Sequence, residues 1–119
     1  SQPAAQNWPQ LHQQLDTVMA EQRLFIDPKL TLTTLSEASA ISEYQLSQLF
    51  SQYLQTNFYG FVNQYRLQVF ERELTNPANP NLKITAIADA SGFHSKATFY
   101  KLFKEKHQMT PAAFRRGGL

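Results

Sequence analysis

Cysteine is absent from the 119-residue chain, so neither a disulfide frame nor a thiolate metal site is available, and the composition fits a reducing compartment. No apolar run approaches the roughly 20 residues of a membrane span, and no signal peptide opens the sequence. The expected location is the cytoplasm, with membrane tethering of a longer protein left open. Histidine is sparse and scattered: His12, His94 and His107 form no ligand pair on one helical face, and no paired carboxylates lie beside them. No catalytic or metal constellation follows, and neither an enzyme nor a cofactor is expected. His94 reads as a turn or phosphate-side residue, and His107 as a donor at a helix end. Positive charge is also scarce over most of the chain. Residues 1–82 hold four Lys or Arg against seven Asp or Glu, whereas residues 83–119 hold seven against two. An anion-seeking surface is therefore expected near the C-terminal end.

What is present is helical periodicity. From Ile84 to Phe103, Ile84, Ile87 and Ala88 recur at helical spacing, Gly92 breaks the run, and Phe99, Leu102 and Phe103 resume it. Two amphipathic helices around a tight turn make a helix-turn-helix. The outer face of its second helix carries Ser95, Lys96, Thr98, Tyr100, Lys101 and Lys104, a set suited to a DNA groove.

An earlier stretch repeats this pattern. Leu35, Ser36, Ala40, Ile41, Ser42, Leu46 and Phe50 answer to Ile87, Ala88, Gly92, Phe93, Ser95, Phe99 and Phe103. The offset is 52 residues before the turn (Leu35 to Ile87) and 53 after it (Ser42 to Ser95), so His94 is an extra turn residue. In this first copy Ser42 is the expected cap, and Leu46, Leu49, Phe50 and Tyr53 the expected core side. Glu43, Tyr44, Gln45, Ser47, Gln48, Ser51 and Gln52 fill the other faces, able to read base edges but weak toward phosphate.

Around these copies, an opening helix is expected from Trp8 to Ile26, with Leu11, Leu15, Val18, Met19 and Phe25 facing the core and Trp8 closing its end. Asp27-Pro28 is a turn, after which a helix starts near Thr33, with Thr33 or Thr34 as cap and Glu37 completing a capping box. Phe58 to Leu74 reads as one long helix with two apolar sides. Phe58, Phe61, Val62, Tyr65 and Val69 lie on one, and Leu67, Phe70 and Leu74 on the other. About 18 residues at 1.5 Å each span roughly 27 Å, near the roughly 34 Å of one DNA turn, so this helix reads as a spacer between two reading units. The Asn-Pro-rich stretch 76–81 ends it, and Thr110 caps a last helix from Pro111 to Arg116 packed through Phe114. The expected architecture is all-α, about seven helices. Residues 1–6 are a tail or linker remnant of a larger protein, 7–56 a first helix-turn-helix subdomain, 57–76 the linker helix and 77–119 the second subdomain, its last three residues frayed.

These residues resemble the DNA-binding domain of the AraC/XylS family of bacterial transcription regulators, from about Leu30 to Arg116. The resemblance rests on Ile87-Ala88, Gly92-Phe93, Ser95, Phe99, Phe103-Lys104, Thr110-Pro111 and Phe114-Arg115 in the second half. In the first it rests on Leu32, Leu35, Ser42, Leu46-Ser47, Phe50, Asn57-Phe58, Phe61, Asn63, Tyr65 and Arg66. It implies a sequence-specific binder of double-stranded DNA with two recognition helices in successive major grooves. Base contacts would come from Tyr44, Gln45, Ser47 and Gln48, and from Lys96, Ala97, Tyr100 and Lys101. Phosphate contacts would come from Ser42, Arg66, Lys83, Ser95, Lys104, Thr110 and Arg115, with Lys106 and Arg116 adding charge and Arg66 the alternative role of tying the halves together. Ser36 and Ala40 stand where the family usually has alanine and glycine, so the first turn is expected to be strained or reshaped. Gln108 replaces a common glycine. The resemblance also implies a sensor or dimerisation domain in a longer protein and RNA polymerase as a partner. Wording such as Asn57-Phe58 followed by Phe61-Val62-Asn63 is similar to the branch whose domain follows a membrane segment or a large N-terminal region. The competing reading is a helical protein–protein interaction module, in which the glutamine-rich faces dock another protein and DNA binding is weak or absent.

Overall fold

A computed structural model describes residues 7–117; the expectations for residues 1–6 and 118–119 fall outside them. Among the described residues there are seven α-helices and no strand: α1 (Trp8–Gln22), α2 (Leu32–Ser39), α3 (Glu43–Gln48), α4 (Phe58–Leu74), α5 (Ile84–Ala90), α6 (Lys96–His107) and α7 (Pro111–Arg115). The chain divides into two compact units. The first is Ser1–Leu24 with Leu30–Phe61, and the second is Phe25–Lys29 with Val62–Leu119.

In the first unit, the Asn7 side chain accepts the Gln10 N–H and starts α1, whose Leu15 and Met19 are fully buried where it packs on α2. α1 is shorter than its apolar spacing predicts. Arg23 turns left-handed (φ 49°) and gives its N–H to the Met19 carbonyl, and Leu24–Ile26 then form a 3-10 turn. The start of α2 also differs from expectation. Thr31, not Thr33 or Thr34, accepts the Thr34 N–H as cap, and Leu32 already belongs to the helix. At its far end the Gln14 amide donates to the Ser39 carbonyl at 2.7 Å, tying α1 to the turn.

α3 starts on the Ser42 cap and continues as a π-helical stretch, Leu49–Tyr53, in which the Leu54 N–H reaches back five residues to the Leu49 carbonyl. The wider turn rotates the residues after Phe50 off the α-helical stripe. Tyr53 is therefore not in the core: it is 42% exposed, with its ring edge-on to His12. Leu46, Leu49 and Phe50 remain buried, and Phe50 stacks on Phe61 at 4.9 Å.

The second unit is built on Leu67, Phe70, Leu74, Ile87, Ala88, Phe93, Phe99 and Phe103, with Ile84, Leu102 and Phe114 against them. Each buried phenylalanine contributes of order 1.5–3 kcal/mol by leaving water. Phe70 meets Phe99 at 4.5 Å and Phe103 at 5.6 Å, both edge-on, the arrangement ring quadrupoles favour. α5 ends with the Phe93 N–H on the Ala88 carbonyl and the Gly92 N–H on the Asp89 carbonyl, a Schellman closure that requires the left-handed Gly92 (φ 102°). Ser95 caps α6 by accepting the Thr98 N–H, and Thr110 caps α7 with Pro111 in the first turn.

A side chain at Gly92 would sit 2.2 Å from the Phe25 carbonyl oxygen and 2.9 Å from the Arg66 Nε. Gly92→Ala is therefore expected to destabilise the protein by about 2–4 kcal/mol, combining backbone strain with a clash against fixed backbone. Ala40, at φ 61°, already carries the strain foreseen for the first turn. Ala40→Gly should relieve it and raise stability by about 0.5–1 kcal/mol in urea denaturation, net of the glycine's greater freedom when unfolded.

Candidate nucleic-acid interface

The two helix-turn-helix turns are closed by different chemistry. In the second unit the Schellman bonds suffice. In the first, Ala40 takes the left-handed position with its N–H on the Ser36 carbonyl. The Ser36 hydroxyl donates to the Ile41 carbonyl at 2.6 Å, and the Ser39 hydroxyl oxygen accepts the Ile41 N–H at 3.3 Å. The serine found where the family usually has alanine thus closes the turn. Ile41 and Phe93 are buried at matching places, and Ser42 and Ser95 each cap the helix that follows.

On α3, Glu43, Tyr44 and Ser47 are exposed, Gln45 and Gln48 are half-exposed, and Tyr44 stands out at 63%. Ser51 and Gln52 extend this surface along the π-helical stretch, and the Gln52 amide donates to the Gln48 side-chain oxygen. No lysine or arginine occurs from Glu43 to Tyr53. On α6, Lys96, Ala97, Thr98, Tyr100, Lys101 and Lys104 are exposed, and Tyr100 is 42% exposed. Ser95 is half-exposed at the cap, and Lys83 is exposed just before α5. Ser42 and Thr110 are exposed, although the hydroxyl oxygen of each already accepts a backbone N–H, from Gln45 and Ala113.

Three expected cations are engaged within the second unit. Arg66 is 7% exposed. Its Nε donates to the Phe25 carbonyl at 2.7 Å, one terminal nitrogen to Asn63 Oδ1 at 3.0 Å, and the other to the Asp27 carbonyl at 2.9 Å. Burial pushes its pKa down from the ordinary value, and the Asp27 carboxylate opposes that shift. A guanidinium so enclosed organises the 25–27 segment. Arg115, half-exposed, donates to the Leu82 carbonyl at 2.6 Å and the Asn79 carbonyl at 3.1 Å, holding the loop before α5. Lys106 pairs with Glu71 at 2.9 Å. His107, at the end of α6 as expected, meets Glu71 while its ring lies against Phe103 and Phe114.

Sequence reasoning missed Glu71 and the bond from Thr33 to Glu43, because both join residues on different helices. The Asn63–Arg66 bond was missed too, although its spacing of three on one helix, which brings side chains together, was a signal for it. Among the described residues no three acidic or histidine side chains gather as a metal site, and no helix is long and apolar enough to cross a membrane.

Arg66→Gln should lower stability by about 2–4 kcal/mol by removing the guanidinium's hydrogen bonds to the Phe25 and Asp27 carbonyls and to Asn63. The slope of log DNA affinity against log salt should stay at the wild-type value at temperatures where the variant is folded, whereas loss of a phosphate contact would reduce it by about one.

The helix-turn-helix domain family matches residues 35–117. The chain is 32% identical over 104 residues to the regulatory protein PocR of Salmonella typhimurium, covering 84% of this chain and 33% of that protein. It is 30% identical over 113 residues to the HTH-type transcriptional regulator GlxA of Rhizobium meliloti, covering 95% of this chain and 34% of that one. The chain thus spans about a third of the length of these relatives. The C-terminal domain of the two-component response regulator yesN from Fusobacterium nucleatum superposes with a TM-score of 0.65 at 26% identity, covering 87% of this chain and 95% of that one. The C-terminal domain of AraT, a response regulator from Geobacillus stearothermophilus, shares the fold at a TM-score of 0.68 and 22% identity over 90% of this chain and 84% of that one. With its paired helix-turn-helix units and these relatives, the chain belongs to the AraC/XylS family of bacterial transcription regulators and is a helix-turn-helix DNA-binding domain of that family.

Proposed function

We propose that α3 and α6 each enter a major groove, in successive turns of one duplex, and that the two units divide the work. The second unit anchors and the first selects. The observation that carries this reading is the contrast between the two exposed helix faces: α6 presents Lys96, Lys101 and Lys104, while α3 presents amides and hydroxyls with no cation. Ammonium groups release condensed counterions from DNA whatever its sequence. Amides and hydroxyls add little to that effect but match the donor and acceptor pattern of base edges.

Within this reading Tyr44, Gln45, Ser47 and Gln48 are base contacts of the first unit, and Lys96, Ala97, Tyr100 and Lys101 of the second. Lys83, Lys104 and Arg116, all exposed, add to the phosphate attraction, with Ser42, Ser95 and Thr110 beside the backbone. Arg66 and Arg115 act as supports. Sensor or dimerisation domains and a contact with RNA polymerase belong, in this proposal, to a longer protein containing the chain.

Selection of bound DNA from a random pool, followed by titration at two salt concentrations, tests the division. Lys101→Ala should weaken binding to specific and random DNA and lower the salt slope, because its ammonium is one of the α6 charges that displace counterions. Gln48→Ala should reduce the preference for the selected site by about 1–3 kcal/mol and leave binding to random DNA nearly unchanged. Equal loss on both DNAs for Gln48→Ala would refute the assignment of selection to the first unit.

A further inference from the structure

Glu43 is the first residue of α3 and the only charged side chain between Glu43 and Tyr53. It is exposed, and the Thr33 hydroxyl of α2 donates to its Oε2 at 2.9 Å. That bond restrains a side chain of high rotameric freedom and occupies one carboxylate oxygen, leaving the lone pairs of the other for an outside donor. A helix-turn-helix presents the beginning of its second helix to base edges. The first turn of α3 favours an acidic group by itself, but among phosphates, with no cation on its own helical run, that group gains further where a base offers it a hydrogen. The matching donor is the cytosine N4 amino group, because adenine places its N7 acceptor beside N6 and would face a second carboxylate lone pair.

We infer that Glu43, positioned by Thr33, is a specificity-determining residue that selects a cytosine in the major groove read by α3. The inference rests on the DNA-reading role proposed above and adds the identity of one base.

The test is selection from a random DNA pool, repeated with the wild-type chain, Glu43→Gln, Glu43→Ala and Thr33→Val, each checked for an unchanged thermal transition. The wild-type pool should hold a cytosine at one position of the α3 half-site, preferred about tenfold or more. Glu43→Gln keeps the shape and the acceptor for Thr33 but adds amide donors, and should move that position to adenine, which a glutamine matches at N6 and N7. Glu43→Ala should erase the preference there alone, and Thr33→Val should weaken it a few-fold without changing the base.

Two results overturn the inference while the DNA-reading proposal survives. One is a wild-type consensus that Glu43→Gln and Glu43→Ala both leave unchanged. The other is a rise in affinity for Glu43→Ala that is equal on selected and random DNA, which would make the carboxylate only a repulsive charge. A wild-type pool with no consensus at all would overturn the DNA-reading proposal, and this inference with it.

Discussion

The missing side chain at Gly92 is the constraint on which the second unit depends. With only hydrogen there, the turn between α5 and α6 lies against the Phe25 carbonyl and the Arg66 guanidinium, closer than any Cβ allows. The same glycine takes the positive φ that lets the Phe93 and Gly92 N–H groups close the end of α5. Phe93 then turns into the cluster of Phe70, Phe99 and Phe103, and the angle at which α6 leaves the turn follows from that packing. Arg66 completes the arrangement: its donors reach the Phe25 and Asp27 carbonyls and hold the 25–27 segment.

The first unit reaches a comparable turn without glycine. Ala40 holds the left-handed position at a steric cost, and the Ser36 and Ser39 hydroxyls supply the hydrogen bonds that backbone groups supply in the second unit. Two duplicated units have thus come to depend on different terms, one on close backbone approach and the other on side-chain hydrogen bonds. Gln108 is the parallel case at the end of α6. It stands left-handed at φ 58°, its N–H on the Lys104 carbonyl and its amide on the Glu105 carbonyl.

Charge follows the same division. The chain's C-terminal cations are not interchangeable: Lys96, Lys101 and Lys104 face solvent, while Lys106 meets Glu71 and Arg115 holds loop carbonyls. Lys106 stays exposed beside Glu71, whose carboxylate offsets its charge, whereas Arg115 keeps its full charge while it holds the loop.

Periodicity in the sequence determined the helices, the duplicated turn and most of the buried residues, because those follow from spacing along one chain. Of the two apolar sides read on the 58–74 helix, Phe61 stacks on Phe50 and Leu67, Phe70 and Leu74 lie in the second core, but Tyr65, read on the side of Phe61, stacks on Phe25 within the second unit. Spacing could not reveal the π-helical turn that moves Tyr53 out of the core, nor the cap at Thr31 in place of Thr33 or Thr34, since neighbouring residues compete nearly equally for those local bonds. Nor could it tell which cations are occupied. Arg66 and Arg115 look like DNA ligands by residue type, and only the tertiary structure, by bringing carbonyls from distant segments within reach of their fixed forks of donors, decided that both also hold backbone of the second unit in place.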